Sequence, residues 1–307
     1  MPTTDATVPE RFVEILDRLS HKAVEDYYNP YRVFTWPDTL PEDTLWMSAD
    51  LLSTHGTDLA EEIGPEALHR LSRWESINFY SMNVEGIREL LVEVIKRIHS
   101  PEFAMASEFF HHFVGEENEH MWFFAEFCLR YGGGRIYSGP KLGQIAHADP
   151  EVENFLVFAR ILLFEEIVDF YNLRMSDDPT LHETIQQVNR IHHQDESRHI
   201  AFGRELVELL YSRLRDRLDE SALREIETYL KRYLVFSIRG FYNPQVYLDA
   251  GISDPLTFRA RLLNDERRRP WSARSFASPC RSCSGPASSP TTRSTWPESD
   301  LLTWRRL

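Results

Sequence analysis

The stretch His192-His193-Gln194-Asp195-Glu196-Ser197-Arg198-His199 decides how this chain is read, because it contains the second copy of an arrangement met earlier. The first copy is Glu117-Asn118-Glu119-His120. A lone glutamate precedes each Glu-x-x-His: Glu85 lies 32 residues before Glu117, and Glu165 lies 31 before Glu196. An α-helix turns by about 100° per residue, so positions three apart lie nearly in line on one face. Each pair can therefore aim a carboxylate and an imidazole at one point inside a helical bundle. Four carboxylates and two imidazoles from four helices make the ligand set of a carboxylate-bridged two-metal centre.

One Glu-x-x-His would be weak evidence, since both residues are common on solvated helix faces. The surroundings argue otherwise. Phe109, Phe110, Phe113, Trp122, Phe123, Phe124 and Phe127 flank the first pair. Glu165 follows eleven residues of which only Arg160 is charged. A carboxylate buried there without a partner would cost several kcal/mol or be forced to protonate, and a metal ion removes that cost. The competing reading is a metal-free bundle with buried salt bridges.

His192 precedes Glu196 by four residues and His199 by seven, so all three share one helical stripe and His192 becomes a seventh candidate ligand. A lone histidine there would instead be structural. His193 points away, to solvent or packing. Glu116 and Asp195 each sit four residues before one of the two histidines, where they either fix an imidazole N–H or are ordinary exposed acids. Arg198 could pair with such a carboxylate, and Glu166 and Asp169 are weaker candidates for the same work.

Organisation along the chain is all-α. A helix from about residue 10 to 23 precedes an irregular, Pro- and Trp-containing arm from about 28 to 47. Gly64-Pro65 opens a long helix to about 98, and a second from about 101 to 131 stops at Gly132-Gly133-Gly134. Two more long helices are expected at about 150–175 and 179–214, then shorter ones at about 221–239 and 256–267. Three segments result: residues 1–64 as N-terminal helix and arm, 65–266 as a metal-binding bundle with accessory helices, and 267–307 as a tail.

The tail swings abruptly to Ser, Pro, Arg and Thr without periodicity, which indicates disorder or an altered reading frame. Cys280-x-x-Cys283 lies within it without a second pair, a poor case for zinc or redox chemistry. The whole chain carries −14, but residues from Arg267 onward carry about +6, so the body holds about −20. An acidic body of that kind repels nucleic acid and anionic membranes. No apolar run is long enough to span a bilayer, no secretory signal opens the chain, and three cysteines make no disulfide framework, so a cytoplasmic protein is expected.

These residues resemble the non-haem di-iron N-oxygenases typified by the p-aminobenzoate N-oxygenase of aureothin biosynthesis. The matching parts are Asn83-Val84-Glu85, Glu116-Glu117-Asn118-Glu119-His120, Glu165 and the run from His192 to His199. The His-x3-Glu-x2-His run is the most specific, and the resemblance spans roughly residues 65 to 240. It implies a ferritin-like four-helix bundle with extra flanking helices, and a ligand set of Glu85, Glu117, His120, Glu165, His192, Glu196 and His199. It further implies two iron ions (manganese is possible), O₂ as co-substrate and a small-molecule amine oxidised to hydroxylamine or nitro compound in antibiotic-type specialised metabolism. Electrons would come from an external reductase or carrier, because the chain has no G-x-G-x-x-G fingerprint. A homodimer follows from resemblance alone. The alternatives are a di-iron hydroxylase or desaturase acting at carbon, and a ferritin-like iron-binding protein.

Overall fold

The computed structural model describes residues 9–139 and 145–268. Among these the regular structure is helical: α1 (Glu10–Glu25), α2 (Pro30–Val33), α3 (Leu59–Ile95), α4 (Ser107–Tyr131), α5 (Pro150–Asp177), α6 (Glu183–Arg217), α7 (Glu220–Gly240), α8 (Pro244–Asp249) and α9 (Pro255–Asn264). The Arg/Ser/Pro-rich tail with Cys280 and Cys283, from residue 269 on, lies outside the described residues.

Four long helices form the frame. α3 runs along α4 and α5 along α6, with α4 contacting α6 and α3 contacting α5. Short links join α3 to α4 and α5 to α6, the pattern of antiparallel neighbours. α5 is buried around most of its circumference between Val152 and Val168, which is why its sequence shows no apolar stripe and reads instead as a continuous apolar run. α1 lies across α4 and α6, and α7 lies on α5.

Local signals set the boundaries. Asp149 accepts the backbone N–H of Glu151 with Pro150 in the first turn, so α5 starts where proline suits it. Asp219 and Asp254 cap α7 and α9 in the same way. Three boundaries depart from the sequence expectations. α3 begins at Leu59 and passes through a kink at Gly64, whose φ of 74° is a left-handed conformation that glycine tolerates. Residues Pro101–Ala106 form a 3₁₀ segment rather than the first turns of α4. α6 begins at Glu183, because Asp178 accepts the N–H and hydroxyl of Thr180 and holds Pro179 in a turn. The short helices α2, inside the stretch read as irregular, and α8 were not anticipated.

The arm after α2 is irregular yet buried. Phe34, Leu40, Trp46, Met47, Leu51 and Leu52 join the same apolar core as the bundle. The Trp46 indole N–H donates to Pro41 O (2.8 Å), and Tyr131 on α4 donates its hydroxyl to Pro37 O (2.7 Å). Gln187 on α6 donates to Val33 O at 2.9 Å, which ties the arm to a second long helix. None of the described helices is long and apolar enough to cross a membrane.

Candidate metal centre

α4 and α6 face each other with their Glu-x-x-His pairs turned inward. Glu117, His120, Glu196 and His199 are all buried, and one ligand atom from each falls within 4.8 Å of the others. His199 Nδ1 lies 2.8 Å from Glu117 Oε1 and 3.5 Å from Glu196 Oε1. His120 Nδ1 lies 3.3 Å and 3.7 Å from the same two oxygens. The i, i+3 spacing produces this directly, since each helix contributes its two ligands from one face.

These contacts are close without being aligned as hydrogen bonds. Glu117 Oε1, His120 Nδ1, Glu165 Oε1, Glu196 Oε2 and His199 Nδ1 are all buried and have no hydrogen-bond partner. Folded proteins rarely leave one such group unsatisfied, and five of them on the facing helices α4, α5 and α6 make a donor set that cations would satisfy. The electrostatics agree. Burial, then the charges of Glu196 and Glu117, push the Glu165 carboxyl well above its usual range. Two divalent ions would neutralise that accumulation of carboxylates, so the donor set fits a pair of metals.

The outward nitrogens of both histidines are held by carboxylates. His120 Nε2–H donates to Asp195 Oδ2 (3.0 Å) and His199 Nε2–H donates to Glu116 Oε2 (2.8 Å). This leaves each Nδ1 lone pair facing the cluster. The acids thus fix imidazoles, as one of the two sequence readings held, but each serves the histidine of the opposite helix. Arg198 joins the two, donating at 2.6 Å to both Glu116 and Asp195, and reaches Asp26 at 3.3 Å. Burial alone would raise the Asp195 carboxyl, yet His120 and Arg198 hold it down to about 2. Burial likewise opposes charge on His120, but Glu117 and Asp195 lift it to about 10.

Sequence reasoning missed Tyr28, whose hydroxyl donates to Asp195 Oδ2 at 2.9 Å across 167 residues. No local signal marks it beyond its place in an aromatic arm. Glu166 and Asp169 are not in the imidazole network: Glu166 pairs with Arg204 (2.7 Å) and Asp169 with His193 (2.5 Å). His193 therefore points away from the cluster, as its position on α6 implied. Asn172 is buried against His192 Nδ1, and Tyr171 is stacked between Phe79 and Phe241.

The remaining expected ligands differ in placement. His192 is buried, with Nε2 3.1 Å from Glu196 Oε1. Glu165 is buried and lines a small internal gap together with His199. Glu85 is not brought into the cluster. Its carboxylate accepts from Arg88 at 2.9 Å, its side chain is 25% exposed, and it lines a cavity between α3, α5 and α7. The neighbouring Gly86 packs so closely on the Phe164 ring that a methyl group there would collide with it. α3 and α5 thus meet tightly beside Glu165, while the Glu85 carboxylate is turned to Arg88.

Comparison with known proteins agrees with this geometry. A family model described as p-aminobenzoate N-oxygenase AurF matches residues 10–283, extending beyond the 65–240 span expected at both ends. None of the curated proteins matches. Among solved structures, a Tyr-to-Phe variant of an R2-like ligand-binding oxidase with an anaerobically reconstituted Mn/Fe cofactor is similar at 16% identity and a TM-score of 0.50, covering 88% of this chain and 93% of its own. A Val-to-Leu variant of an R2-like ligand-binding oxidase, reconstituted likewise, aligns at 17% identity and a TM-score of 0.48 over the same shares. At 16% identity the match with a TM-score of 0.50 shows the fold, a ferritin-like bundle, and nothing finer. With the family model spanning most of the sequence and the Glu/His cluster formed at the centre of that bundle, the chain belongs to the AurF p-aminobenzoate N-oxygenase family and is a di-iron oxygenase.

Proposed function

We propose that this enzyme is an O₂-dependent monooxygenase that oxidises an amine nitrogen, acting in specialised metabolism in the cytoplasm. The observation that carries the metal part is the set of five buried, unpartnered donor atoms on α4, α5 and α6; the family match supports nitrogen as the target. In this reading Glu117, His120, Glu196 and His199 hold the ions with Glu165, His192 and Glu85. Glu85 reaches them by swinging off Arg88, which gives up an exposed i, i+3 pair worth ~0.3 kcal/mol. The bound pair supplies redox and Lewis-acid chemistry toward O₂.

The protein's own contribution is structural and electrostatic. Asp195 and Glu116 keep both imidazoles in the tautomer that presents Nδ1, and Arg198 holds the two acids in place. Phe113, against the His199 ring at 4.5 Å, and Phe123 and Phe124 around His120 and His192 exclude water. The balance for one turnover is amine plus O₂, two electrons and two protons, giving hydroxylamine and water. An external reductase or small carrier supplies the electrons, and further rounds lead to the nitro compound. The enzyme works as a homodimer.

Metal analysis of anaerobically reconstituted protein, followed by mass spectrometry of products from an arylamine panel under ¹⁸O₂, tests this. About two ions per chain and ¹⁸O on nitrogen are expected. Oxygen found only on carbon, or a desaturated product, would overturn the nitrogen assignment.

A further inference from the structure

The link between α3 and α4 brings two histidines together outside the metal centre. His99 Nε2 lies 3.1 Å from His111 Nε2, with ring centroids 5.3 Å apart and both residues exposed. Among the described residues His99 is the one non-glycine with a left-handed backbone, at φ 57°. Such a conformation persists only where the surrounding structure holds it. Here the His99 N–H donates to Ser107 Oγ at 2.9 Å, and that buried hydroxyl donates to Phe103 O at 3.1 Å. His99 is thus tied to the first residue of α4, one turn before His111 on the same helix. The two rings meet on one braced corner.

Their separation suits a shared ligand. Imidazole nitrogens bind zinc-sized dications at about 2.0–2.1 Å, so two of them 3.1 Å apart subtend roughly 95–102° at a common ion. That angle falls between the right angle of a square-planar site and the wider tetrahedral one. The two nitrogens now face each other, as in an N–H···N bond, and a modest tilt of each exposed ring aims both lone pairs at one point. Among the described residues, His, Cys, Asp and Glu gather in threes or more only at Glu117, His120, Glu196 and His199. An ion on His99 and His111 therefore keeps its other positions for water. His111 precedes Glu117 by six residues, about 9 Å along α4, so this corner is distinct from the buried cluster.

We infer that His99 and His111 form a second metal site, an open two-imidazole chelate for a first-row transition dication. Copper(II) binds it most tightly, with nickel(II) and zinc(II) weaker, as the usual order of stability for nitrogen ligands requires. Magnesium and calcium, which take oxygen ligands, do not compete. The bound ion fastens the link after α3 to α4, and so couples the helix of Glu85 to that of Glu117 and His120.

Copper(II) titration of the iron-loaded full chain tests this, read by electron paramagnetic resonance and by analysis of the iron retained. One additional copper ion per chain is expected, with hyperfine coupling to two imidazole nitrogens and no loss of iron. His99→Asn keeps a residue that tolerates the left-handed backbone, and His111→Gln keeps a good helix former. Each should weaken copper binding by at least ~10-fold, the loss that even a supporting partner of a metal site can cause. Iron content in both variants should match that of the unaltered chain. Failure to bind additional copper, copper without two imidazole nitrogens, or copper that enters only as iron leaves would overturn the assignment. Affinity retained in either variant overturns it as well. The nitrogen coupling is read on the unaltered chain, so it decides even if a variant fails to fold.

Discussion

The two helices that carry Glu-x-x-His and the two that carry a lone glutamate behave differently. On α4 and α6 the glutamate and histidine reach the cluster together, because a three-residue step on one helix fixes their relative direction. On α3 and α5 the direction of a single carboxylate depends on what surrounds it. Glu165 has apolar neighbours and stays buried beside His199, whereas Glu85 finds Arg88 one turn away and turns outward. A ligand pair is thus encoded locally, and a single ligand is encoded by packing and competition.

The largest effect that tests this contrast is on metal content. Glu117→Ala should lose both ions, because its carboxylate lies against both histidines, while Glu85→Ala should keep at least one. Metal-to-protein ratios after desalting would reverse the ranking of the four helices if the two variants lost metal equally.

A second test uses another carboxylate of α3. Glu75 is buried like Glu165, but it is held by the N–H and hydroxyl of Ser53 and lies outside the metal cluster. Burial raises its carboxyl to about 7, against an ordinary value of 4.5. The native state therefore holds this proton where the unfolded chain has released it, so stability is fully present below pH 4.5 and falls as pH rises through 7. The loss amounts to ~3 kcal/mol across that window. Urea unfolding of Glu75→Gln at pH 5 and pH 8 should show this dependence removed relative to the unaltered chain. Parallel pH profiles for the two proteins would mean that Glu75 is ionised throughout.

The smallest effect concerns the competitor itself. Arg88→Ala frees Glu85 and should tighten the weaker metal site by about twofold, in line with an exposed pair of a few tenths of a kcal/mol. Competition titration with a chromophoric chelator reads it. Weaker metal binding would show that Arg88 helps rather than restrains Glu85.

Much of this was legible before the fold was known. The four long helices followed from Pro and Gly punctuation, and both buried Glu-x-x-His pairs followed from spacing within aromatic surroundings. The kink at Gly64 and the 3₁₀ segment at Pro101–Ala106 were not, since proline marks a helical start without saying whether a turn precedes it or which helix type follows. Nor was the crossing of Asp195 to His120 and Glu116 to His199, which is a property of how α4 and α6 face each other. Tyr28 and Asp26 join that network from the arm and α1 side, at sequence separations no local pattern reports. The pairing of Glu85 with Arg88 turns its carboxylate outward, and no spacing rule reaches that far.

The bridge made by Arg198 has one more implication. Two outer carboxylates and one guanidinium leave a shared negative charge behind both imidazoles, so the rings become stronger electron donors in concert. A perturbation at either end of that ring, whether loss of the Tyr28 hydroxyl or of Asp26, is felt by both halves of the centre at once. Two ions held there would in this sense be tuned as a unit, with a common bias toward their higher-charged state.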